Sequence, residues 1–450
     1  MTTRRTLLAA AALTPALGAA LAGTRHVRAQ EATPTASAAT PAGASIPMSG
    51  DVLPGLAAFD PVMTAAMAKW SLPGGQLAIA WDGRLVVNRG YGFADVDAQE
   101  PVRPGALFRI ASVSKTITTV AILTLVDAGK LALDDKIFPL LAIQPAANAT
   151  PDPRLDRITV EEALVHAGGW DSNASYDPQY LPWSRMAAAT VGLADPAEAM
   201  TIVRYMLGVP LDFDPGSKQV YSNFGFNVLG RVIEHVSGQP YAEYVRNHVL
   251  APAGVTDMRL GRTRRQDRAP GEAFYYGPPD QAKRASVFWG EGYVPVGYGS
   301  YYMEALDAHG GWIGSAADLV RFATAVDGQR GKALLTPATL HAMIATPRPP
   351  SAGTGAGNAP VTAGLGWDMK PVSGGVEWSH AGALEGSCAS WLFRGADGMT
   401  LALNFNSLPD DYETFFPETG EALLAVAHAV SHWPTGDLFA ATGRAATPPP

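Results

Sequence analysis

Two residues whose types could together do covalent chemistry, Ser112 and Lys115, stand three positions apart at the start of a helical pattern that runs to Ala128. This spacing places both side chains on one helix face. A serine hydroxyl becomes a nucleophile when a base takes its proton, and a lysine is such a base where burial and positive surroundings lower its pKa. The pair predicts an acylated serine beside a general base. By itself the Ser-x-x-Lys pattern is common, and Ser112 could equally be a helix cap.

Two further short motifs could supply the rest of such a site. Tyr221-Ser-Asn223 follows the turn Asp214-Pro-Gly216 and begins another helical pattern, and His380-Ala-Gly382 ends a predicted strand. Taken singly, the tyrosine could be a buried aromatic, the asparagine a helix cap and the histidine a satisfied residue at a strand end. Taken together with Ser112, the motifs predict a serine acyl-transfer site.

The order and spacing of these motifs resemble those of the serine β-lactamase-related and penicillin-recognising hydrolases, which carry Ser-x-x-Lys, Tyr-x-Asn and Lys/His-x-Gly in the same order. The resemblance covers roughly residues 52 to 430. It includes five other segments: Gly90–Asp95, Leu164–Trp170, Phe213–Gly216, Gly310–Asp318 and Asn404–Ser407. In the second of these, His166 is expected to shape the loop beside the nucleophile and not to act as a base.

The resemblance assigns the covalent steps to three side chains. It implies that Ser112 attacks a carbonyl carbon while Lys115 and Tyr221 handle the proton. Tyr221, anionic or strongly hydrogen-bonded beside Lys115, would return that proton to the leaving group.

Substrate binding is implied for further residues. Asn223 would hold the amide or ester side chain of the acyl group. His380, with Gly382 in the same motif, would complete the electrostatic surroundings and meet a substrate carboxylate. The backbone N–H groups of Ser112 and Ala383 would form the oxyanion hole.

The third motif narrows the expected substrate class. It reads His-Ala-Gly where true β-lactamases have Lys-Thr-Gly, and no glutamate is evident where class A β-lactamases position a deacylating water. The chain therefore resembles the DD-peptidase, D-aminopeptidase and esterase branches, which implies a small-molecule ester, amide or peptide substrate and leaves a β-lactam open. The alternative is a non-catalytic cell-envelope binding or sensor domain. Motifs of zinc proteases, nucleotide-binding proteins and α/β-hydrolases are missing, and no cofactor or metal is expected.

The secondary structure predicted around these motifs changes from strands to helices and back to strands along the chain. Strand patterns occupy both ends of the body, with a hairpin from Gly75 to Gly90 and four strands between Gly364 and Phe405, and helical patterns fill the middle. This order predicts an α+β fold, an α/β sandwich, and the resemblance implies that it is of the β-lactamase/transpeptidase type. An antiparallel sheet built from both termini is flanked by helices and holds an inserted, mostly helical domain. The site is expected where the two parts meet.

The ends of the chain differ in composition from the body. Arg4-Arg5, an apolar run and Val27-Arg-Ala29 predict a twin-arginine signal peptide over residues 1–29. The protein is thus expected to be exported to the periplasm or outside the cell, with no membrane span after cleavage. Residues 30–50 are predicted as a disordered linker and 434–450 as a flexible tail. Residues 51–433 would form the hydrolase domain, with 51–111 and about 311–433 as the α/β part and about 112–310 as the helical part.

Charge and cysteine content exclude other classes. The formal net charge is −8, and loss of the arginines before residue 30 makes it more negative, which argues against nucleic acid as a partner. Cys388 is the only cysteine, so no disulfide is predicted and the residue is expected to fill the core. The aromatic segments Phe274–Pro279 and Val287–Tyr302 could wall the substrate cleft or form an ordinary surface Ω-loop, such as those that cover a domain seam. The oligomeric state stays open.

Overall fold

In the computed structural model, the described residues are 45–193, 196–278, 280–345 and 362–439. The predicted signal peptide and most of the predicted linker lie outside them. The strands in these ranges are β1 Met48–Val52, β2 Gly74–Trp81, β3 Arg84–Asp95, β4 Glu100–Pro101, β5 Phe108–Arg109, β6 Arg259–Leu260, β7 Arg284–Ala285, β8 Tyr293–Val294, β9 Trp312–Gly314, β10 Thr362–Ala363, β11 Asp368–Val372, β12 Gly375–Leu384, β13 Cys388–Arg394 and β14 Met399–Phe405.

The main sheet has nine strands, in the order β1-β3-β2-β14-β13-β12-β11-β10 with β4 attached to β3. At its centre β2 pairs antiparallel with β14, so strands from both ends of the chain meet. The predicted hairpin is present, and it turns at Asp82 and Gly83, whose φ angles of 49° and 72° are the left-handed values that a two-residue turn needs. The predicted α+β fold with a sheet built from both termini is confirmed.

Helices cover both faces of this sheet. Along β2, Leu77 and Ile79 pack on one face with α1 and α11, and Ala78 and Ala80 pack on the other with the helices of the central segment. This alternation follows from the two-residue period of a strand. The helices are α1 Phe59–Lys69, α2 Ser114–Asp127, α3 Ile137–Leu141, α4 Val160–Leu164, α5 Trp183–Thr190, α6 Ala199–Met206, α7 Asn223–Ser237, α8 Tyr241–Val245, α9 Ala316–Val326, α10 Pro337–Ile344 and α11 Tyr412–His428.

A second, small sheet marks where the helical segment leaves and rejoins the α/β part. Its strand order is β5-β9-β6, and Arg109 of β5 lies opposite Ile313 of β9. The helix α2 follows β5 and is buried along most of its length. The nucleophile motif therefore begins at the junction of the two parts, where the site was expected.

The helix predicted to start at Ser112 begins two residues later in the structure. The first α-helical residue after β5 is Ser114, because Ala111–Val113 forms a 3-10 turn. The last helix, α11, begins at Tyr412. Its start is set by Asp411, whose side chain accepts a hydrogen bond from the Thr414 N–H at 3.1 Å.

The predicted linker and tail both extend too far into the folded body. Met48, inside the predicted linker 30–50, begins β1 and pairs with Tyr91 of β3. Inside the predicted tail 434–450, Asp437 accepts a hydrogen bond from the Leu85 N–H at 3.0 Å, and Phe439 is only 4% exposed. Backbone pairing and burial order these residues although their composition resembles that of the chain ends.

Candidate active site

The segment before Ser112 is held firmly where the two parts meet. Ala111 has a φ of 43°, a left-handed value that costs free energy for a residue with a side chain. The fully buried Arg109 donates a hydrogen bond to the Gly297 carbonyl at 2.6 Å, and its guanidinium lies 4.3 Å from the centre of the Tyr275 ring. These contacts set the position of Ser112 relative to the sheet.

Lys115 lies one turn after the serine with no exposed surface. Its Nζ is 3.0 Å from Ser112 Oγ, 2.8 Å from Asn223 Oδ1 and 3.0 Å from the His309 carbonyl oxygen. Burial lowers the pKa of Lys115 to about 7, while the charge of Asp177 acts in the opposite direction. Two of the three partners can only accept hydrogen bonds. A neutral Lys115 therefore gives its two hydrogens to them and directs its lone pair at the serine hydroxyl.

Tyr221 contacts the nucleophile from the cleft side. Its hydroxyl donates a hydrogen bond to Ser112 Oγ at 2.7 Å, and its side chain is 46% exposed. Burial of the hydroxyl raises the pKa of Tyr221 above its ordinary value. Of the two states expected for this residue, the structure therefore supports the neutral, strongly hydrogen-bonded tyrosine and not the anion.

Asp177, which no sequence motif marks, sets the orientation of Asn223. The Asn223 Nδ2 donates to Asp177 Oδ2 at 2.7 Å, and Asp177 Oδ1 accepts from the Gln179 N–H at 3.0 Å. A carboxylate accepts hydrogen bonds, so the amide nitrogen of Asn223 faces Asp177 and its oxygen faces Lys115. Asn223 is thus engaged by protein on both sides, which leaves one amide hydrogen for the implied contact with an acyl group. The helix cap at this point is Ser222.

Asp177→Asn is expected to lower kcat about tenfold and to move the acidic limb of the kcat/KM profile to lower pH. Asparagine at this position lets either end of the Asn223 amide face Lys115, which misdirects the lysine hydrogens. The charge of Asp177 raises the pKa of Lys115, so its removal lowers that pKa and keeps the amine neutral to a lower pH. Rate profiles from pH 5 to 9 would show both effects. Asp134→Asn, at an exposed position, is the control, and an acidic limb that stays in place would contradict the electrostatic link.

The second half of β12 forms one wall of the site. In the described part of the chain β11 pairs with β12 only as far as Ser379, so the strand edge from His380 to Leu384 is open towards the nucleophile. Ala383 and Ser112 line the same cleft. The oxyanion hole formed by their two N–H groups stays a prediction.

His380 contributes no positive charge to this wall. Its Nδ1 donates to the Ala381 carbonyl at 2.6 Å. Burial, followed by the charge of Lys115, lowers the pKa of His380 to about 3, so the imidazole is neutral at neutral pH. The structure therefore does not support a cationic histidine that meets a substrate carboxylate.

The contacts of His166 fit the structural role expected for it, which is to shape the loop beside Ser112. It adopts a φ of 59°, and its Nδ1 accepts a hydrogen bond from the Ser222 N–H at 3.1 Å. Its ring centre lies 4.6 Å from that of Tyr221. Burial lowers the pKa of His166 well below its ordinary value, so it stays neutral and supports the tyrosine.

Gly382 allows the nucleophile segment to lie close to β12. A Cβ at this position would be 2.3 Å from the Ile110 carbonyl oxygen and 2.3 Å from Ser390 Oγ. Ser390 Oγ donates to the same carbonyl at 2.6 Å, so neither group can move freely away. The glycine of the third motif is therefore required by packing.

Gly382→Ala is expected to lower the free energy of unfolding by about 1–3 kcal/mol, the ordinary cost of overpacking, and to reduce kcat by displacing Ser112. Thermal unfolding and steady-state kinetics measure the two effects. Gly105→Ala is the matched control, because a Cβ there meets no atom within 4 Å. Equal unfolding temperatures for the two variants would contradict the packing role.

The site opens on a cleft of about 990 Å³. None of the described residues of the aromatic segments lines this cleft, and Tyr275 instead packs on Arg109. Tyr275, Val296 and Tyr301 of these segments pack in one cluster with Ala111 and Leu384, whereas Trp289 and Tyr293 are exposed. Cys388 has no exposed surface, as expected for a core residue.

Among the described residues, no group of acids, histidines or cysteine is arranged to hold a metal. No helix in the same ranges is long and apolar enough to cross a membrane.

A family model described as Beta-lactamase matches residues 59–422, a range that includes every residue of the site. The chain belongs to the beta-lactamase family. The resemblance inferred from the three motifs is therefore confirmed.

This beta-lactamase family chain aligns with only part of the length of its curated relatives. Protein flp from Staphylococcus aureus (strain COL) is 27% identical over 205 residues, which are 46% of this chain and 38% of flp. Esterase EstB from Burkholderia gladioli is 32% identical over 211 residues, which are 45% of this chain and 50% of EstB. The matched segments thus span half or less of these relatives.

Solved structures show the same beta-lactamase-type fold over most of the chain. The octameric penicillin-binding protein homologue from Pyrococcus abyssi has a TM-score of 0.60 at 22% identity, covering 82% of this chain and 77% of that one. The D-amino acid amidase from Ochrobactrum anthropi SV3 has a TM-score of 0.62 at 22% identity, covering 82% and 97%. These likenesses agree with the predicted sandwich architecture.

Proposed function

We propose that this protein is a serine hydrolase that forms a covalent acyl-enzyme at Ser112. The observation that carries the proposal is the environment of Lys115: a buried amine with a pKa near 7, its Nζ 3.0 Å from Ser112 Oγ, and two acceptors for its own hydrogens. A binding or sensor domain needs no base in this state. The family and the fold are consistent with the chemistry.

The first half-reaction follows from this geometry. Neutral Lys115 takes the hydroxyl proton as Ser112 Oγ bonds to the carbonyl carbon, and the electron pair of the C=O bond moves to its oxygen. The N–H groups of Ser112 and Ala383 stabilise that oxyanion. When the C=O bond re-forms, the bond to the leaving group breaks, and Tyr221 gives that group its proton and regains one from Lys115.

The second half-reaction returns the free enzyme. A water molecule gives a proton to the same lysine and tyrosine pair as its oxygen bonds to the acyl carbon. Collapse of the second tetrahedral intermediate breaks the bond to Ser112 Oγ, which recovers its proton, and the carboxylic acid leaves. No cofactor takes part in either half.

We propose small esters as the substrates cleaved fastest, ahead of amides, D-amino-acid peptides and β-lactams. The name of the relative EstB and the His-Ala-Gly motif support this order. The neutral state of His380 supports it as well, because β-lactams and C-terminal peptides carry a carboxylate for which this histidine offers no charge. Rates with p-nitrophenyl acetate, nitrocefin and a D-Ala-D-Ala peptide rank the classes. A nitrocefin rate far above the ester rate would reverse the order.

Covalent labelling tests the proposal as a whole. A fluorophosphonate probe is expected to add its mass to the native protein. After digestion with trypsin, the added mass is expected on the peptide Ile110–Lys115. Fragmentation of this peptide in the mass spectrometer then shows whether Ser112 or Ser114 carries the label. An unlabelled protein that also fails to cleave any of the three substrates would favour the binding or sensor alternative.

We also propose that the protein is exported. The arginine pair and the apolar run before residue 30 support this proposal, and cell fractionation tests it.

A further inference from the structure

The cleft around Ser112 is poor in positive charge. Its lining contains five acidic side chains and, within the described residues, no arginine or lysine. Three histidines line it, and burial lowers the pKa of each: His166, His309 and His380. Lys115 behind the serine is neutral for much of the time near pH 7. A substrate carboxylate therefore meets no fixed cation here.

One of the five acids, Asp368, differs from the other four in being partly buried, whereas the others are exposed. It is the first residue of β11 and lies opposite Ser379, the residue before His380. In the described part of the chain its carboxylate has no hydrogen bond or ion pair. By contrast, Asp411 caps α11, and Glu418 pairs with Lys69 at 2.5 Å.

Asp368 is also charged at neutral pH and close to the reacting groups. Burial raises the pKa of Asp368 to about 6, so the group is mostly ionised at pH 7. Asp368, Tyr221 and Ser112 line the same cleft. Burial raises the pKa of Tyr221 most, and the charge of Asp368 adds to that rise. A ligand group at Asp368 can therefore belong to the same small molecule whose carbonyl meets the serine.

We propose that Asp368 binds the protonated amine of the substrate, so that the preferred esters or amides carry an ammonium group. This inference rests on the proposed function and names its substrate class. An ionised carboxylate removed from water and left without a counter-ion is costly, and a substrate ammonium supplies the missing partner. The same charge repels a substrate carboxylate.

Three esters that differ in one group test the inference. They are the methyl esters of racemic phenylalanine, 3-phenylpropanoic acid and benzylmalonic acid (monoester), which place an ammonium, a hydrogen or a carboxylate beside the same carbonyl. At pH 7 we expect kcat/KM to be highest for the ammonium ester and lowest for the carboxylate ester. In Asp368→Asn the ratio of ammonium to neutral ester is expected to fall at least about tenfold. Glu413→Gln, which removes another cleft acid, is the matched control and should keep the ratio within about twofold.

An unchanged ratio in Asp368→Asn, or a wild-type protein without the preference, would overturn the inference while hydrolysis at Ser112 still stood. Binding to the Ser112→Ala protein gives a readout that needs no turnover. By calorimetry, phenylalaninamide is expected to bind at least about tenfold more tightly than 3-phenylpropanamide, and the Ser112→Ala, Asp368→Asn double variant is expected to lose the difference. Equal binding of both amides to the single variant would reject Asp368 as the amine site even if the labelling test failed.

Discussion

Ser112→Ala is expected to abolish labelling by the fluorophosphonate probe and to lower kcat for the fastest ester by roughly 10⁶-fold, the scale of removing the nucleophile from a catalytic unit. Alanine has no oxygen to form the acyl-enzyme, and neither neighbouring serine, Ser114 or Ser222, is placed to replace it. Ser114 Oγ accepts a hydrogen bond from the Trp312 N–H, and Ser222 Oγ caps α7. Intact-protein mass and steady-state rates measure the two losses.

Ser114→Ala is the control for this variant, because Ser114 lies in the same tryptic peptide and in the first turn of α2. It is expected to keep the label, although loss of the bond to Trp312 lowers its thermal stability. Ser112 is excluded as the nucleophile if the Ser112→Ala protein labels as fast as the wild type.

Lys115→Ala is expected to lower kcat by roughly 10³-fold or more, with a smaller change in KM. The variant keeps the nucleophile but removes, among the described residues, the one group hydrogen-bonded to Ser112 Oγ whose pKa, about 7, suits a base at neutral pH. The histidines nearby cannot compensate, because burial lowers the pKa of His380 to about 3 and that of His166 well below its ordinary value. Pre-steady-state acylation with p-nitrophenyl acetate isolates the step.

Lys115→Arg separates the role of base from the role of cation. Arginine keeps a positive charge at this position but holds its proton throughout the accessible pH range, so it cannot accept the serine proton. We expect it to be as inactive as the alanine variant. Lys218→Ala, at a partly exposed lysine, should match the wild type. A Lys115→Arg protein with most of the wild-type rate would show that the lysine acts through its charge alone.

The covalent centre could be predicted because its residues lie in short, ordered motifs. Ser112 and Lys115 are brought together by the local geometry of one helical turn, which spacing alone describes. The partners of that pair are different. Asp177 contacts Asn223 across 46 positions of the chain and stands in no motif. The His309 carbonyl, which accepts a hydrogen bond from Lys115, is a backbone group that no side-chain pattern marks. Its position just before the segment Gly310–Asp318 is the one sequence feature that points to it.

The sequence by itself determined the order of the main strands and helices and the family, and it predicted the nucleophile and base, because these depend on periodicity and local spacing. The tertiary structure decided the charge of each group in the site. Burial makes Lys115 able to act as a base, keeps Tyr221 protonated and leaves His380 neutral. The fold also places Asp368 in the cleft with no partner among the described residues, and burial raises its pKa only to about 6. Burial and long-range neighbours set pKa values, and both exist only when distant segments pack together.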